Sequence, residues 1–219
     1  MGHIDEYIST ISIAKDQNSE SCGIAVVISD PLEGLNLLKE KLTSDSFTKN
    51  EAKFTVDDIM ELDPEYPSIP MVKRRWELFQ SNQFPKHNKN IEDLSTKISK
   101  SIHTEANKLV QLIKKKSNCT DVPVVTLPTL MSCPYYEASP TSVPTYCHND
   151  LPNSANFISL GKDNIVADSF LEEFNSRIQK KFEKHGHQVH FIDSTIYHGG
   201  NGGPHCSTSV VREVNGNNL

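Results

Sequence analysis

Cys22-Gly23-Ile24-Ala25-Val26-Val27-Ile28-Ser29, followed at once by Asp30-Pro31, decides the fold class of this 219-residue chain. The run is unbroken in its apolar character and short, which is the pattern of a strand covered on both faces. Asp30 is an N-cap residue, and Pro31 has its missing N–H and fixed φ where the first helical position tolerates both. Leu32, Leu35, Leu37, Leu38 and Leu42 then supply the apolar side of a helix. A buried strand feeding directly into a helix predicts an α/β architecture.

Upstream, Tyr7 to Ala14 is rich in β-branched residues and alternates loosely, as a strand does. Downstream, residues 44–90 are polar and broken by Pro64, Pro67, Pro70 and Pro85, which predicts surface-wrapping chain with one short helix from Val56 to Leu62. From Ile91 to Lys116 the period turns helical. Ile91, Leu94, Ile98, Ile102, Ala106, Leu109, Val110 and Ile113 form one stripe, on a helix about 39 Å long. Lys114, Lys115 and Lys116 end it, where cations suit the helix dipole. Val122 to Leu127 reads as a strand and the proline-rich stretch 128–155 as loop. Asn156 to Leu160 and Asn164 to Ala167 form a strand pair around Gly161. Ser169 is the expected cap of a helix bearing Phe170, Phe174, Ile178 and Phe182, closed by Gly186. Gln188 to Ile192 is a strand, Gly199 to Pro204 a glycine-rich loop, Cys206 to Val211 a last strand, and 215–219 a tail. No repeat is visible at the residue level.

Lys and Arg number 22 against 28 Asp and Glu, a net charge of −6. Nucleic acid is a poor partner for such a chain, because phosphate contacts need clustered cations. No apolar stretch approaches the roughly 18 residues of a membrane span, and Met1-Gly2-His3-Ile4-Asp5 lacks the basic and apolar regions of a signal peptide. Glu6 stands where a myristoylation signal needs Ser or Thr. The five cysteines (Cys22, Cys119, Cys133, Cys147 and Cys206) are odd in number, scattered and without a CxxC pair. They suggest no disulfide framework, so a reduced, soluble, cytoplasmic chain is expected. Asn118-Cys119-Thr120 fits a glycosylation sequon, a triplet that chance also produces.

Three features could carry chemistry. Cys206 leaves the glycine-rich loop directly after His205, placed either to meet a substrate or to be buried as a strand opens. His3 and Asp5, at i and i+2 of an extended segment, share a face; an imidazole there can shuttle a proton, and a carboxylate can hold a cation. His185, His187, His190, His198 and His205 raise the question of zinc, but their spacing does not converge four ligands. No metal site is expected. The absence of GxGxxG and Walker sequences argues against a nucleotide.

Taken together and in order, these residues resemble the C-terminal half of a protein-arginine deiminase, of the pentein or guanidino-group-modifying fold. Gly2-His3-Ile4-Asp5-Glu6-Tyr7 is similar to that family's Gly-His-Val-Asp-Glu-Phe. Pro152-Asn153-Ser154-Ala155-Asn156 with Leu160-Gly161-Lys162 resembles its Pro-Asn-Met-Val-Asn and Leu-Gly-Lys. Phe191-Ile192-Asp193, Tyr197-His198 and His205-Cys206-Ser207-Thr208 resemble its closing segments, with Arg212 beyond them.

The resemblance implies a partial α/β-propeller: ββαβ modules making about half of a five-module ring, over residues 1–214. It implies hydrolysis of protein-bound arginine to citrulline and ammonia through a Cys-linked thiouronium. Cys206 would be the nucleophile, His3 the general acid and base, and Asp5 the ligand of the guanidinium, with Gly200 and His205 also at the substrate. Calcium serves the family, but its ligands are expected upstream, as are a second aspartate and a stacking tryptophan. Gly200 stands where animal enzymes have a substrate-contacting arginine; Ser207 and Ser209 replace a glycine and an asparagine. The chain is therefore expected to be a fragment with weak or no activity by itself, completed by an N-terminal segment or a partner chain. A non-catalytic remnant and a hydrolase of small free guanidines are the alternatives.

Overall fold

The computed structural model describes residues 7–14, 20–42, 85–132, 148–149, 152–169, 171–194 and 203–205. The elements run β1 (Ile8–Ser12), β2 (Ile24–Asp30), α1 (Pro31–Leu42), α2 (Pro85–Ser117), β3 (Val124–Pro128), β4 (Met131–Ser132), β5 (His148–Asn149), β6 (Ile158–Leu160), β7 (Asp163–Ala167), α3 (Glu172–Glu183) and β8 (Gln188–Ile192). β1 pairs antiparallel with β2, and β3 returns parallel on the other side of β2. The second sheet repeats the plan: β6 antiparallel to β7, and β8 parallel to it. Each of these three-stranded sheets is thus a ββαβ module, with α1 and α2 in the first crossover and α3 in the second. The repeat is one of topology, which is why no residue-level periodicity announces it.

Strand β2 explains its own sequence. Ala25 and Val27 enter a core with Val125 and Leu127 of β3 and with Phe157, Val166, Ile178 and Phe182 of the second module. Val26 and Ile28, on the opposite face, pack with Ile102, Ala106 and Val110 of α2. With both faces covered, no polar residue is tolerated between Ile24 and Ile28. The Phe157 and Phe182 rings meet edge to face at 5.2 Å and 89°, inside the core that joins the modules. Leu35 and Leu38 of α1, Ile91 of α2, Leu130 and Phe174 close a third cluster.

Helix α1 begins as the sequence predicts. Asp30 Oδ1 accepts from the N–H groups of Leu32 (2.9 Å) and Glu33 (3.1 Å), satisfying donors that have no partner within the helix. Gly34 allows the helix to lie against residue 129, since a Cβ there would sit 1.9 Å from the Thr129 carbonyl oxygen. Lys181 of α3 ties the modules by reaching Glu33 Oε1 at 2.5 Å and the Thr126 carbonyl at 2.6 Å.

Several expectations need correction. Helix α2 starts at Pro85 and has 33 residues, about 50 Å, rather than starting at Ile91. Its buried face includes Asn88, Ser95 and Ser99, polar residues that the apolar stripe alone passes over. Part of the 128–155 stretch is a small antiparallel pair, β4 with β5. Ser169 does not cap α3. Leu171 holds the N-cap position without a side-chain hydrogen bond, while Ser169 Oγ donates to Asn175 Oδ1 at 2.8 Å. Gly186 does close the helix: its φ of 78° is left-handed, and its N–H reaches the Glu183 carbonyl.

The cysteine reading is corrected as well. Cys22 and Cys119 form a disulfide, with Cα atoms 5.2 Å apart across a separation of 97 residues. α2 packing on β2 brings the turn after the helix back to the entry of the strand. There Cys22 N–H donates to the Asp121 carbonyl (2.9 Å) and Thr120 N–H to that of Glu20 (3.0 Å). Spacing alone could not reveal the pairing. The expected helix Val56 to Leu62 and the expected strand Cys206 to Val211 lie outside the described residues.

Candidate active site

The segment Pro152–Phe157 is buried at every position, although half its residues are polar. Its two asparagines find internal partners, as buried amides require, and they form a relay. Asn153 Oδ1 accepts from Ser29 Oγ at 2.7 Å and from the Ala155 N–H at 3.0 Å. Ser29, at the C-terminal end of β2, donates its own N–H to the Tyr7 carbonyl at 2.9 Å. At the other end of the segment, Asn156 Oδ1 accepts from the His205 N–H at 2.9 Å, and the Asn156 carbonyl stands 3.3 Å from the same donor. Tyr7, two positions after Asp5, and His205, one position before Cys206, are thus linked through Ser29, Asn153 and Asn156. Two parts of the chain about two hundred residues apart come to one end of the first sheet.

Gly203 belongs to the same construction. A Cβ there would lie 2.7 Å from Asn156 Oδ1 and 2.9 Å from its Cγ. Gly203 and Asn156 are both buried. The asparagine is short and already bonded to His205, so it has no free end to swing aside. Glycine at 203 is the condition for Asn156 to sit close enough to hold the backbone that leads into Cys206.

Of the residues the sequence nominates, His205 is described and its side chain is exposed; its backbone, rather than its ring, is what the structure fixes. Cys206, His3, Asp5 and Gly200 lie outside the described residues, and so does His198. The other histidines have separate duties. His187 is buried, with Nδ1 3.0 Å from Asn164 Nδ2 and Nε2 2.5 Å from the Ser12 carbonyl, so Nε2 carries the proton. His190 pairs with Asp163 at 2.9 Å on the surface. His185 has its pKa lowered by burial, then by Lys184 and His187. Among the described residues no group of three or more His, Cys, Asp or Glu could hold a metal.

One further titratable pair lies outside this end of the sheet. His103 Nε2 of α2 is 3.0 Å from Asp30 Oδ2. Burial pushes the Asp30 carboxyl up, but hydrogen bonds from His103, the Glu33 N–H and Ser99 outweigh it and hold the pKa below the ordinary value. The other oxygen caps α1, so this carboxylate fastens α2 to the start of α1.

Sequence reasoning passed over Asn153, Asn156 and Ser29 as candidates. The available signal was Pro152-Asn153-Ser154-Ala155-Asn156 itself, two asparagines among small residues with no charge.

Two ββαβ modules on one core, with a polar relay converging on one end of the first sheet, define an α/β protein whose candidate chemistry lies where distant chain segments meet. The family model described as protein-arginine deiminase (PAD) matches residues 1–217, and the chain belongs to that family. Its members are hydrolases that act on the C–N bonds of the guanidino group. Comparison with curated protein sequences gives no match. The family is calcium-dependent, and the described acidic residues do not fit that ion. Asp30, Glu33 and Asp163 are each engaged by a basic side chain and form no cluster.

Proposed function

We propose that the chain takes part in hydrolysing the guanidino group of protein-bound arginine, giving citrulline and ammonia, with Cys206 as nucleophile, His3 as proton carrier and Asp5 as the guanidinium ligand. The observation that carries this reading is the family match over 1–217, which spans all three positions. The relay from Tyr7 through Ser29, Asn153 and Asn156 to His205 supports it, because it draws together the neighbours of the proposed residues. We further infer that the two modules are blades of a pentein ring; their common strand order supports this.

In the proposed reaction Asp5 holds the planar cation by charge-assisted hydrogen bonds and turns its carbon toward sulfur. The Cys206 thiolate adds to that carbon. The tetrahedral adduct expels one nitrogen as ammonia, protonated by His3, and leaves an S-alkylthiouronium. His3, now neutral, takes a proton from water, whose oxygen adds to the same carbon. The C–S bond then breaks to give the ureido group and restore the thiolate. Arginine and water are consumed; citrulline and ammonia are formed.

The test is citrulline release from an arginine-containing peptide, with and without added calcium, for the chain and for Cys206→Ala. Turnover abolished by Cys206→Ala, and slower on free arginine than on peptide, is the expected result. Turnover that survives Cys206→Ala would reject the assignment of the nucleophile. A folded chain without turnover under any condition would reject activity of the chain by itself, leaving a binding role or a part that a further segment or partner chain must complete.

A further inference from the structure

We propose that this protein matures in an oxidising, glycosylating compartment, where Asn118 receives an N-linked oligosaccharide before Cys22 and Cys119 close their disulfide. Two independent observations meet at one turn. The first is the Asn118-Cys119-Thr120 sequon, placed where a glycan has room. Asn118 is exposed beyond the end of α2, in the left-handed conformation at φ 48° that asparagine accepts more readily than most residues. Its neighbours Lys115, Lys116 and Ser117 are exposed too, so a sugar there displaces nothing from the core. The second is the disulfide that joins Cys119, the middle residue of that triplet, to Cys22, a linkage that persists where thiols are oxidised and is rare where glutathione keeps them reduced. A cytoplasmic chain, as the composition suggested, would keep neither that disulfide nor a glycan on Asn118.

The fold also sets the order of events. In the folded protein the Thr120 hydroxyl donates to the Glu20 carboxylate, the Thr120 N–H to the Glu20 carbonyl, and Cys119 is bonded to Cys22. The acceptor triplet is therefore fastened to residues 20–22, and its hydroxyl is occupied. Transfer needs the triplet extended and free, so it precedes docking. In that step the Asn118 carboxamide nitrogen bonds to C1 of an oligosaccharide carried on a lipid pyrophosphate. The C1–O bond breaks, the lipid pyrophosphate leaves with the electron pair, and the amide gives up one proton. In the later step the two thiols lose two protons and two electrons to a thiol–disulfide oxidoreductase, forming the S–S bond.

The experiment uses the full chain purified from the cells that express it. Peptide-N-glycosidase treatment is read by gel mobility and by conversion of Asn118 to Asp in the peptide mass. Maleimide labelling with and without prior reduction reads Cys22 and Cys119. The expected result is a glycosidase-sensitive mobility shift, lost in Asn118→Gln and in Thr120→Ala but retained in Thr120→Ser, together with Cys22 and Cys119 reactive only after reduction. Should Asn118→Gln misfold, the Thr120 pair still separates the sequon from folding. Occupancy in Cys22→Ser should equal or exceed that of the parent chain; lower occupancy would overturn the proposed order. Unmodified Asn118 in a chain with the disulfide formed would overturn the glycan site. Cys22 and Cys119 labelled without reduction would overturn the compartment.

Discussion

The contact between Gly203 and Asn156 can be perturbed from either side, and the two perturbations should not add. Gly203→Ala places a methyl 2.7 Å from Asn156 Oδ1, 2.9 Å from Cγ and 3.0 Å from Cβ, overpacking that typically costs about 1–3 kcal/mol. Asn156→Ala removes the acceptor 2.9 Å from the His205 N–H, which costs about 1–3 kcal/mol where the donor is left poorly satisfied. Independent sites would give a double variant about 2–6 kcal/mol less stable, by simple addition of those ranges. The geometry says otherwise. Truncating Asn156 removes Oδ1 and Cγ, the two atoms the new methyl strikes hardest, and leaves only the 3.0 Å Cβ contact. The double variant should therefore be scarcely less stable than Asn156→Ala alone, a coupling of about 1–2 kcal/mol. Urea unfolding of the four proteins measures it, with coupling read from midpoints at unchanged slope. Iodoacetamide labelling of Cys206, mapped by peptide mass, provides the functional reading: both single variants should change its rate, because the backbone before the thiol is no longer held. Stability losses that add to within about 0.5 kcal/mol would refute the steric account.

Reduction of the Cys22–Cys119 bond should lower the unfolding free energy by about 2–4 kcal/mol, since it releases a closed loop spanning a separation of 97 residues; a urea midpoint indifferent to reductant would count against it. Phe182→Ala, which empties the centre of the core shared by the modules, should cost about 3–5 kcal/mol and be visible in the same assay. Asp30 gives a pH signature. Its folded carboxyl has a lowered pKa, so the unfolded chain binds the proton more readily. Its contribution is intact above the ordinary aspartate range and is lost as pH falls through the folded value. Asp30→Asn, which keeps an oxygen for the α1 cap, should flatten this acid-side decline in a pH series of urea midpoints; an unchanged slope would reject the His103–Asp30 pairing as its source.

Much of the fold was legible because local physics left little choice. The run Ile24 to Ile28 admitted only a strand covered on both sides, and Asp30-Pro31 only a helix start, since an N-cap carboxylate and a proline at the first position each satisfy or remove an orphan donor. Phe174, Ile178 and Phe182 faced inward as their spacing required. Ser169 misled because its hydroxyl had a better partner in Asn175 than in the start of the helix, a competition that propensity cannot weigh. The order of His3, Asp5 and Cys206 could be read along the chain, but Asn153 and Asn156 could not be given a purpose, because a buried asparagine means nothing until its partner is known.

By itself, then, the sequence determined most of the described strands and helices and which of their faces are apolar. Those are properties of neighbours within a turn or two of one another. Only the tertiary structure decided that the two modules share a topology, that Cys22 finds Cys119, and that Tyr7 and His205 are held through the same asparagines. The contacts behind them cross 97, 124 and 49 positions, and no local preference encodes them. They exist because burying Val26, Val27 and Phe182 on common cores leaves Ser29, Asn153 and Asn156 at the end of the sheet no water to turn to, only each other and the neighbouring backbone.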